Sequence, residues 1–157
     1  RPGELRFTGP TVFLGYLQSA GDEFDADGYY KTGDIFQWAD TDSSSRLLQF
    51  VDRAKDIIIR GGMNISAAEI EALIASHEDV LECAVVSFPD PDLGEKVGVF
   101  VVPIENKLPD LPTIVDFLRT LEIASYKLPE RLEIIDALPR NAVGKVTKSD
   151  LRDRWRL

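Results

Sequence analysis

Residues 52–71, DRAKDIIIRGGMNISAAEIE, constrain the fold of this chain more than any other segment. The isoleucine run predicts a short strand, and the glycine pair at 61–62 predicts a tight turn after it. Ser66 and Glu69 have the spacing of a capping box, which predicts a helix over residues 67–77. An arginine and a lysine in front of the strand therefore stand where the chain enters a new folding unit.

The first third of the chain, residues 4–51, is rich in turns and in segments typical of strands. An Asp-Gly turn at 27–28 and a polar break at 41–45 separate these segments, which is typical of antiparallel β structure. The predicted strand-like segments are ELRFTG, TVFLGYL, YYKTGD, IFQWAD and RLLQFV. We expect this piece to be too short and open to close a barrel by itself.

After Asp52 the pattern changes to strands that alternate with helices, which predicts a compact α+β domain. The polar loop PDPDLGE joins the first two long strands and is compatible with a hairpin or a crossover. Apolar residues at i, i+3, i+4 and i+7 predict a second helix from Thr113. Beyond these, the predicted elements are strands at 80–88, 96–103 and 131–137 and a closing helix at 149–157.

Composition and charge exclude several classes of function. The chain has 18 basic and 27 acidic residues and a formal charge of -9, which is the wrong sign for binding nucleic acid through its phosphates. No apolar run approaches the ~20 residues of a membrane span, so membrane insertion is not expected. Cys83 is the single cysteine. We expect it to be a small buried hydrophobe in a protein of the cytoplasm.

Three motifs carry a resemblance to a known family: YKTGD at 30–34, DRAKDIIIRGG at 52–62 and NAVGK at 141–145. In this order they resemble the C-terminal portion of an adenylate-forming (AMP-binding) enzyme, most closely the aryl-, alicyclic- or medium-chain acyl-CoA ligases. The resemblance implies a mobile lid domain at 53–157, built as a small antiparallel sheet with flanking helices. Residues 1–52 would then be the β-rich tail of a large N-terminal lobe.

The same resemblance implies that the chain is a C-terminal fragment. The family's phosphate loop and acyl pocket precede the motifs found here, and the chain starts at Arg1 instead of methionine. We therefore expect this chain to be inactive without the missing N-terminal lobe.

Two residues are candidates for nucleotide binding. Gly33 permits a tight backbone, and the Asp34 carboxylate after it is a bidentate acceptor suited to a ribose diol. In the resembling family the matching aspartate binds the ribose hydroxyls, and Arg53 matches an arginine that also reaches the nucleotide. A Thr-Gly-Asp segment taken alone is an ordinary turn, which is the alternative.

The lid contributes the other candidate residues. Lys145 follows a glycine in a polar loop, where its ammonium can extend into a cleft as a point charge. The resemblance assigns it to the attack of a carboxylate on the α-phosphate of ATP, Lys55 to the hinge between the lobes, and Gly61 and Gly62 to the tunnel for pantetheine. The alternatives are a solvated lysine for Lys145, a charged turn for Lys55 and a plain hairpin turn for the two glycines. Asn64 departs from relatives that carry an arginine there, so no phosphate contact is assigned to it.

The implied parent enzyme is an ATP-dependent carboxylic acid:CoA ligase. Its small-molecule partners would be a small carboxylic acid, ATP with Mg²⁺, and CoA, with no group tightly bound to this fragment and no metal ligands in it. One alternative is an adenylation enzyme that loads an aryl or amino acid on a carrier protein. The other is a noncatalytic α+β interaction module.

A few further residues have structural interpretations. His77 is expected to cap carbonyls or to be solvated, without a metal or catalytic role. Trp38 and Trp155 are expected to be packing residues. Tyr126 and Lys127 are candidates for a contact with the CoA nucleotide, with a structural turn before Pro129 as the alternative.

Overall fold

The computed structural model describes residues 2–17, 21–39 and 47–156. The chain divides into two compact units, Arg1–Lys55 and Asp56–Leu157. The boundary predicted from the sequence, between residues 52 and 53, and the assignment of its two sides to a large lobe and a lid stay predictions. Within the described ranges, no helix has the length and apolar character needed to cross a membrane.

The first unit contains an antiparallel sheet, as predicted. Its strands are β1 (Gly3–Phe7), β2 (Tyr30–Trp38) and β3 (Leu48–Arg53), in the order β1-β2-β3. The predicted segments YYKTGD and IFQWAD are joined in one continuous strand, since β2 runs through residues 30–38 without a break. The predicted turn at 27–28 is confirmed, because Gly28 N–H donates to the Asp25 carbonyl at 3.1 Å. The predicted polar break at 41–45 lies outside the described residues.

The strand predicted for TVFLGYL is wrong, since residues 11–17 form turns and bends. Gly15 has a φ of 148°, which interrupts an extended strand in this segment. Residues 11–17 contact β2 through their aromatic side chains and not through strand pairing. The Phe13 ring lies edge-on to Tyr30 with centroids 5.0 Å apart, and the Tyr16 and Tyr30 hydroxyls are 3.1 Å apart.

The second unit is built on a five-stranded sheet. It consists of β4 (Ile57–Arg60), β5 (Met63–Ser66), β6 (Val80–Asp90), β7 (Gly94–Pro103) and β8 (Arg131–Ile134). The order is β5-β4-β7-β6, with β8 paired to β7 in parallel and the other pairs antiparallel. Asp90 pairs with Gly94, so PDPDLGE closes a hairpin and not a crossover. β8 is three residues shorter than the predicted 131–137.

Three α-helices among the described residues complete the α+β fold, whose class is confirmed: α1 (Ala67–Ile74), α2 (Leu111–Thr120) and α3 (Lys148–Asp153). α1 begins as predicted, with Ser66 Oγ accepting from Glu69 N–H at 3.2 Å. The Glu69 carboxylate accepts from Lys127 Nζ at 2.6 and 2.7 Å, a bond to a distant part of the chain that the capping pattern does not predict. α1 is shorter than the predicted 67–77.

The predicted start of α2 at Thr113 is two residues too late. Asp110 is the N-cap, and its Oδ1 accepts from Thr113 N–H at 2.9 Å. Pro112 is tolerated inside the first turn because the amides there have no partner within the helix. α3 covers part of the predicted 149–157, and Leu157 lies outside the described residues.

Both faces of the second sheet are buried, which explains why β6 and β7 are almost continuously apolar. Neighbouring residues alternate between the faces, so Val85 packs in one cluster and Val86 in the other. One cluster joins the sheet to α1 and α2, and its members include Ile58, Ile65, Ile70, Ile74, Val97, Val99, Ile114 and Leu118. The other joins the sheet to α3, and its members include Ala84, Phe100, Val102, Leu138, Leu151 and Trp155.

Candidate functional site

Asp34 and Arg53, the two predicted nucleotide-binding residues, are in direct contact. They are cross-strand partners on β2 and β3, and Arg53 Nε donates to Asp34 Oδ1 at 2.7 Å. Their side chains are 31% and 50% exposed, so the pair is accessible to a ligand. The salt bridge uses one carboxylate oxygen and one guanidinium nitrogen. The other oxygen and the remaining N–H groups give the pair acceptors and donors for a polar ligand.

The turn before Asp34 is held in place by β1. Gly33 has a φ of 69°, and its N–H donates to Glu4 Oε1 at 3.1 Å. Thr32 Oγ1 donates to the Leu5 carbonyl at 2.8 Å and accepts from Asp34 N–H at 3.1 Å. These bonds fix the backbone on both sides of Gly33, and with it the position from which the Asp34 side chain projects.

The glycine pair forms a two-residue turn between β4 and β5. Gly61 and Gly62 have φ values of 56° and 82°, the positive pair that a type I′ hairpin turn requires. A Cβ on Gly61 would stand 3.3 Å from the Leu93 side chain, whereas a Cβ on Gly62 would meet nothing within 4 Å. The backbone at Gly62 is therefore open to close approach by another group. The hairpin turn accounts for both glycines, and the pantetheine tunnel stays a prediction.

A second turn supports the glycine pair. Gly61 N–H donates to the carbonyl of Leu93, which lies in the β6–β7 turn, at 2.8 Å. Asp90 Oδ1 shapes that turn by accepting from the N–H groups of Asp92 and Leu93 at 3.1 and 2.9 Å. Lys96, 2.8 Å away, and the Leu93 amide hold the pKa of Asp90 below its usual value, so the carboxylate is the charged acceptor that the turn needs.

Lys145 is exposed at the tip of a short hairpin that leads into α3. Asn141 N–H donates to the Lys145 carbonyl at 2.9 Å, and Asn141 Oδ1 accepts from Lys145 N–H at 2.9 Å. Gly144, with a φ of 82°, makes the turn possible. The backbone of Lys145 is thus fixed and its side chain is exposed. The extension of its ammonium into a cleft stays a prediction.

Lys55 is exposed in a short 3₁₀ helix, Ala54–Asp56, and is the last residue of the first unit. Asp56, the first residue of the second unit, is 8% exposed and its Oδ1 accepts from Arg152 Nη2 on α3 at 2.6 Å. The second unit therefore begins with an anchored residue. A hinge at Lys55 stays a prediction.

The structure brings together some of the predicted residues. Asp34 and Arg53 form one pair in the first unit, whereas the glycine pair and Lys145 lie on separate turns of the second unit. The sequence did not predict the ion pair between Asp34 and Arg53 or the anchor between Asp56 and Arg152. No pattern along the chain marks these contacts, which join residues 19 and 96 positions apart.

The remaining interpretations have mixed outcomes. Trp155 is a packing residue, as predicted, with 3% exposure. Trp38, at the end of β2, is 61% exposed and does not pack in a core within the described residues. His77 caps an amide and not a carbonyl, since its Nδ1 accepts from Asp79 N–H at 3.1 Å. In the part of the chain that is described, no group of three or more His, Cys, Asp or Glu side chains is placed to hold a metal ion.

The contacts of Cys83 and Lys127 indicate that both residues have structural roles. Cys83 is a half-buried free thiol, and burial, with the nearby Glu71 carboxylate, raises its pKa from 9.0 to about 12. It is therefore a neutral thiol, and it packs against the core cluster of α1 and α2, in keeping with the predicted hydrophobic role although it is only partly buried. Lys127 is paired with Glu69 across the domain, and Tyr126 packs against the core cluster of α1 and α2. These contacts favour the structural interpretation of Tyr126 and Lys127 over a contact with the CoA nucleotide.

Comparison with known proteins identifies the family. Residues 69–145 match the model of the AMP-binding enzyme C-terminal domain. The chain is 38% identical to pyochelin synthase PchD of Pseudomonas aeruginosa over 98% of its own length and 28% of that protein. It is 41% identical to a long-chain-fatty-acid–CoA ligase of Yersinia pestis over 98% of its length and 26% of that protein.

A solved structure gives the same result. ATP-bound MatB from Rhodopseudomonas palustris superposes with a TM-score of 0.86 at 32% identity, over 99% of this chain and 30% of that one. The chain thus spans less than a third of the length of the proteins that it matches. These matches confirm the resemblance carried by the three sequence motifs: the chain matches the C-terminal portion of adenylate-forming enzymes.

Proposed function

We propose that this chain is the C-terminal part of an ATP-dependent carboxylic acid:CoA ligase. In the first half-reaction the acid carboxylate attacks the α-phosphate of ATP, bound with Mg²⁺, to give acyl-AMP and pyrophosphate. In the second, the thiol of CoA attacks the acyl carbon and AMP leaves. An aryl, alicyclic or medium-chain acid is the proposed substrate, and the cytoplasm, where ATP and CoA are available, is the proposed location.

The exposed apolar side chains of the first unit support the proposal that another lobe packs against it. None of its described apolar side chains is buried, and Leu14, Leu17 and Trp38 are 102%, 94% and 61% exposed. A folding unit whose described apolar side chains are all at least partly exposed has no buried apolar core of its own, which favours packing against another part of the protein. The relatives are more than three times as long as the chain, since it covers 26–28% of them. We therefore assign the first unit to a large lobe that the rest of the enzyme supplies, and the second unit to the lid.

The accessible Asp34–Arg53 pair is the observation that carries the proposal. Its free carboxylate oxygen suits the two hydroxyls of a ribose, and its guanidinium suits a phosphate or ring acceptor of the same nucleotide. Lys145 would then supply the charge that stabilises the crowded, anionic transition state of adenylation. The open backbone at Gly62 would admit the pantetheine arm in the second half-reaction.

A carrier protein is the second candidate acceptor. The Yersinia relative, 41% identical, is named a long-chain-fatty-acid–CoA ligase, which favours free CoA as the acceptor. Incubating the acyl-adenylate with the full-length enzyme and either CoA or a pantetheinylated carrier protein separates the two. We expect thioester formation with free CoA.

Replacing Lys145 tests the proposed function in the full-length enzyme that contains this chain. We expect Lys145→Ala to reduce ATP–pyrophosphate exchange by about 10²–10³-fold, the usual effect of losing one preorganised donor at a transition state. Thioester formation from supplied acyl-AMP should fall much less. Equal losses in both half-reactions would reject this role for Lys145.

A noncatalytic interaction module is tested by binding. A non-hydrolysable acyl-adenylate analogue should bind the full-length enzyme and should bind less tightly when Asp34 is replaced by alanine. Binding that is absent, or unaffected by Asp34, would reject the nucleotide site. The isolated chain should catalyse no pyrophosphate exchange, because the rest of the active centre belongs to the other lobe.

A further inference from the structure

The hairpin that presents Lys145 is closed by its own backbone. Thr147 N–H donates to the Pro139 carbonyl at 2.8 Å, and Arg140 and Val146 form an isolated antiparallel bridge. Its base is fixed in the core, where Leu138 is 6% exposed and Val146 packs against the α3 cluster. Its tip, residues 141–145, is exposed. Internal bonds give the tip a shape, but they do not set its direction relative to the sheet.

Arg140 connects this tip to the sheet. Its Nη1 donates to the carbonyl of Gly144 at 2.9 Å, and its Nη2 donates to Oε1 of Glu82 on β6 at 2.6 Å. Gly144 directly precedes Lys145 along the chain. One planar guanidinium therefore ties the peptide in front of Lys145 to a strand 58 residues away from Arg140 in sequence.

We propose that Arg140 is a positioning residue that sets the direction of Lys145 for the adenylation step. A guanidinium holds its N–H groups in a rigid plane, so two simultaneous bonds fix an orientation that a single flexible ammonium does not fix. This proposal rests on the proposed function, because it assigns Arg140 no contact with a substrate and lets it act through Lys145 alone.

A merely stabilising role does not account for this arrangement. The Arg140 and Glu82 side chains are 42% and 41% exposed, and exposed ion pairs contribute little to folding stability. A small displacement of a catalytic group, in contrast, lowers a rate by up to about 10²-fold. Loss of Arg140 should therefore change catalysis far more than it changes stability.

The test uses the full-length enzyme and measures the half-reactions separately. The variants are Arg140→Ala, Arg140→Lys, Lys145→Ala and the double variant Arg140→Ala/Lys145→Ala. Arg119→Ala is the matched control, since Arg119 also pairs with an exposed carboxylate, Asp116 at 2.8 Å, but lies on α2. Thermal unfolding of each variant measures folding stability.

We expect Arg140→Ala to lower kcat for pyrophosphate exchange by about 10- to 100-fold, with KM for ATP unchanged. Thioester formation from acyl-AMP and the melting temperature should match those of Arg119→Ala. Arg140→Lys should be nearly as slow as Arg140→Ala. Lysine keeps the positive charge but lacks the planar guanidinium that makes two bonds at once. In the Lys145→Ala background, Arg140→Ala should cause no further loss, since residues that act as a unit are not additive.

The outcomes separate this proposal from the proposed function. Normal adenylation by Lys145→Ala would reject the function of Lys145 and the role of Arg140 together. An impaired Lys145→Ala enzyme combined with a normal Arg140→Ala enzyme would reject the positioning role alone. That role would also fail if the two losses multiplied in the double variant, if Arg140→Lys were fully active, or if both half-reactions fell together.

Discussion

The indole ring of Trp155 occupies the space where a side chain on Gly98 would begin. A Cβ built on Gly98 would stand 2.1 Å from Cζ3 and 2.7 Å from Cη2 of that ring. Gly98 lies within β7, where glycine normally weakens a strand. Its absence of a side chain here lets Trp155 stack on Phe100, with ring centroids 4.1 Å apart. The chain after α3 is thereby seated on the sheet.

Gly98→Ala should destabilise the second unit. The added methyl group forces the buried ring out of its position, and overpacking of this kind costs about 1–3 kcal/mol. Urea denaturation followed by circular dichroism measures the loss. Gly3→Ala is the control, because a Cβ there meets nothing within 4 Å. The cost of Gly98→Ala should be smaller in a Trp155→Leu background, and an equal cost in both backgrounds would contradict the steric explanation.

Asp34→Ala in the full-length enzyme should weaken the use of ATP. Losing hydrogen bonds to a charged acceptor costs about 1.5–3 kcal/mol, which corresponds to a fall in kcat/KM for ATP of roughly 10- to 100-fold. Measuring the same parameter with 2′-deoxy-ATP and 3′-deoxy-ATP tests the ribose contact directly. The wild-type enzyme should discriminate against at least one deoxy analogue, and Asp34→Ala should discriminate less. Unchanged discrimination would place the ribose elsewhere.

Lys55→Pro tests the hinge. Proline fixes φ near -65° and removes an amide donor, and Asp56 next to it is already anchored to Arg152. We expect the full-length variant to retain substantial adenylation and to lose thioester formation, because only the second half-reaction needs the lid to rearrange. Circular dichroism checks that the variant is folded. Undiminished CoA transfer by a folded variant would remove Lys55 as the pivot and leave Lys145 unaffected.

Cys83 should make stability depend on pH in the alkaline range. Its pKa is about 12 in the folded chain against an ordinary value of 9.0, so between these values the unfolded chain binds fewer protons at this site. Its contribution to stability is complete below pH 9 and is lost as the pH rises toward 12, at up to about 1.4 kcal/mol per pH unit. Urea denaturation of wild type and Cys83→Ala from pH 8 to 10 measures the difference. The gap between their free energies of unfolding should change above pH 9, and parallel curves would contradict the raised pKa.

Features set by neighbouring residues were predictable from the sequence. Ser66 caps α1 through an amide three residues ahead, and the adjacent glycines at 61–62 supply the positive φ values of their own turn. The roles predicted for Asp34, Arg53 and Lys145 also came from local motifs, which involve only neighbouring residues. Their surroundings in the structure agree with accessible polar side chains, although the motifs did not predict that Asp34 and Arg53 bind each other.

Features that depend on distant contacts were decided by the tertiary structure alone. Nothing near Arg131 predicts that β8 pairs in parallel with β7, and nothing near Trp38 predicts that it stays exposed. The bonds from Arg140 to Glu82 and from Arg152 to Asp56 close loops of 58 and 96 residues. Such pairs form because packing of the two apolar clusters brings the strands and α3 together, and a side-chain type by itself does not identify its partner. The sequence therefore determined which groups the chain offers, and the fold determined the directions in which they are held.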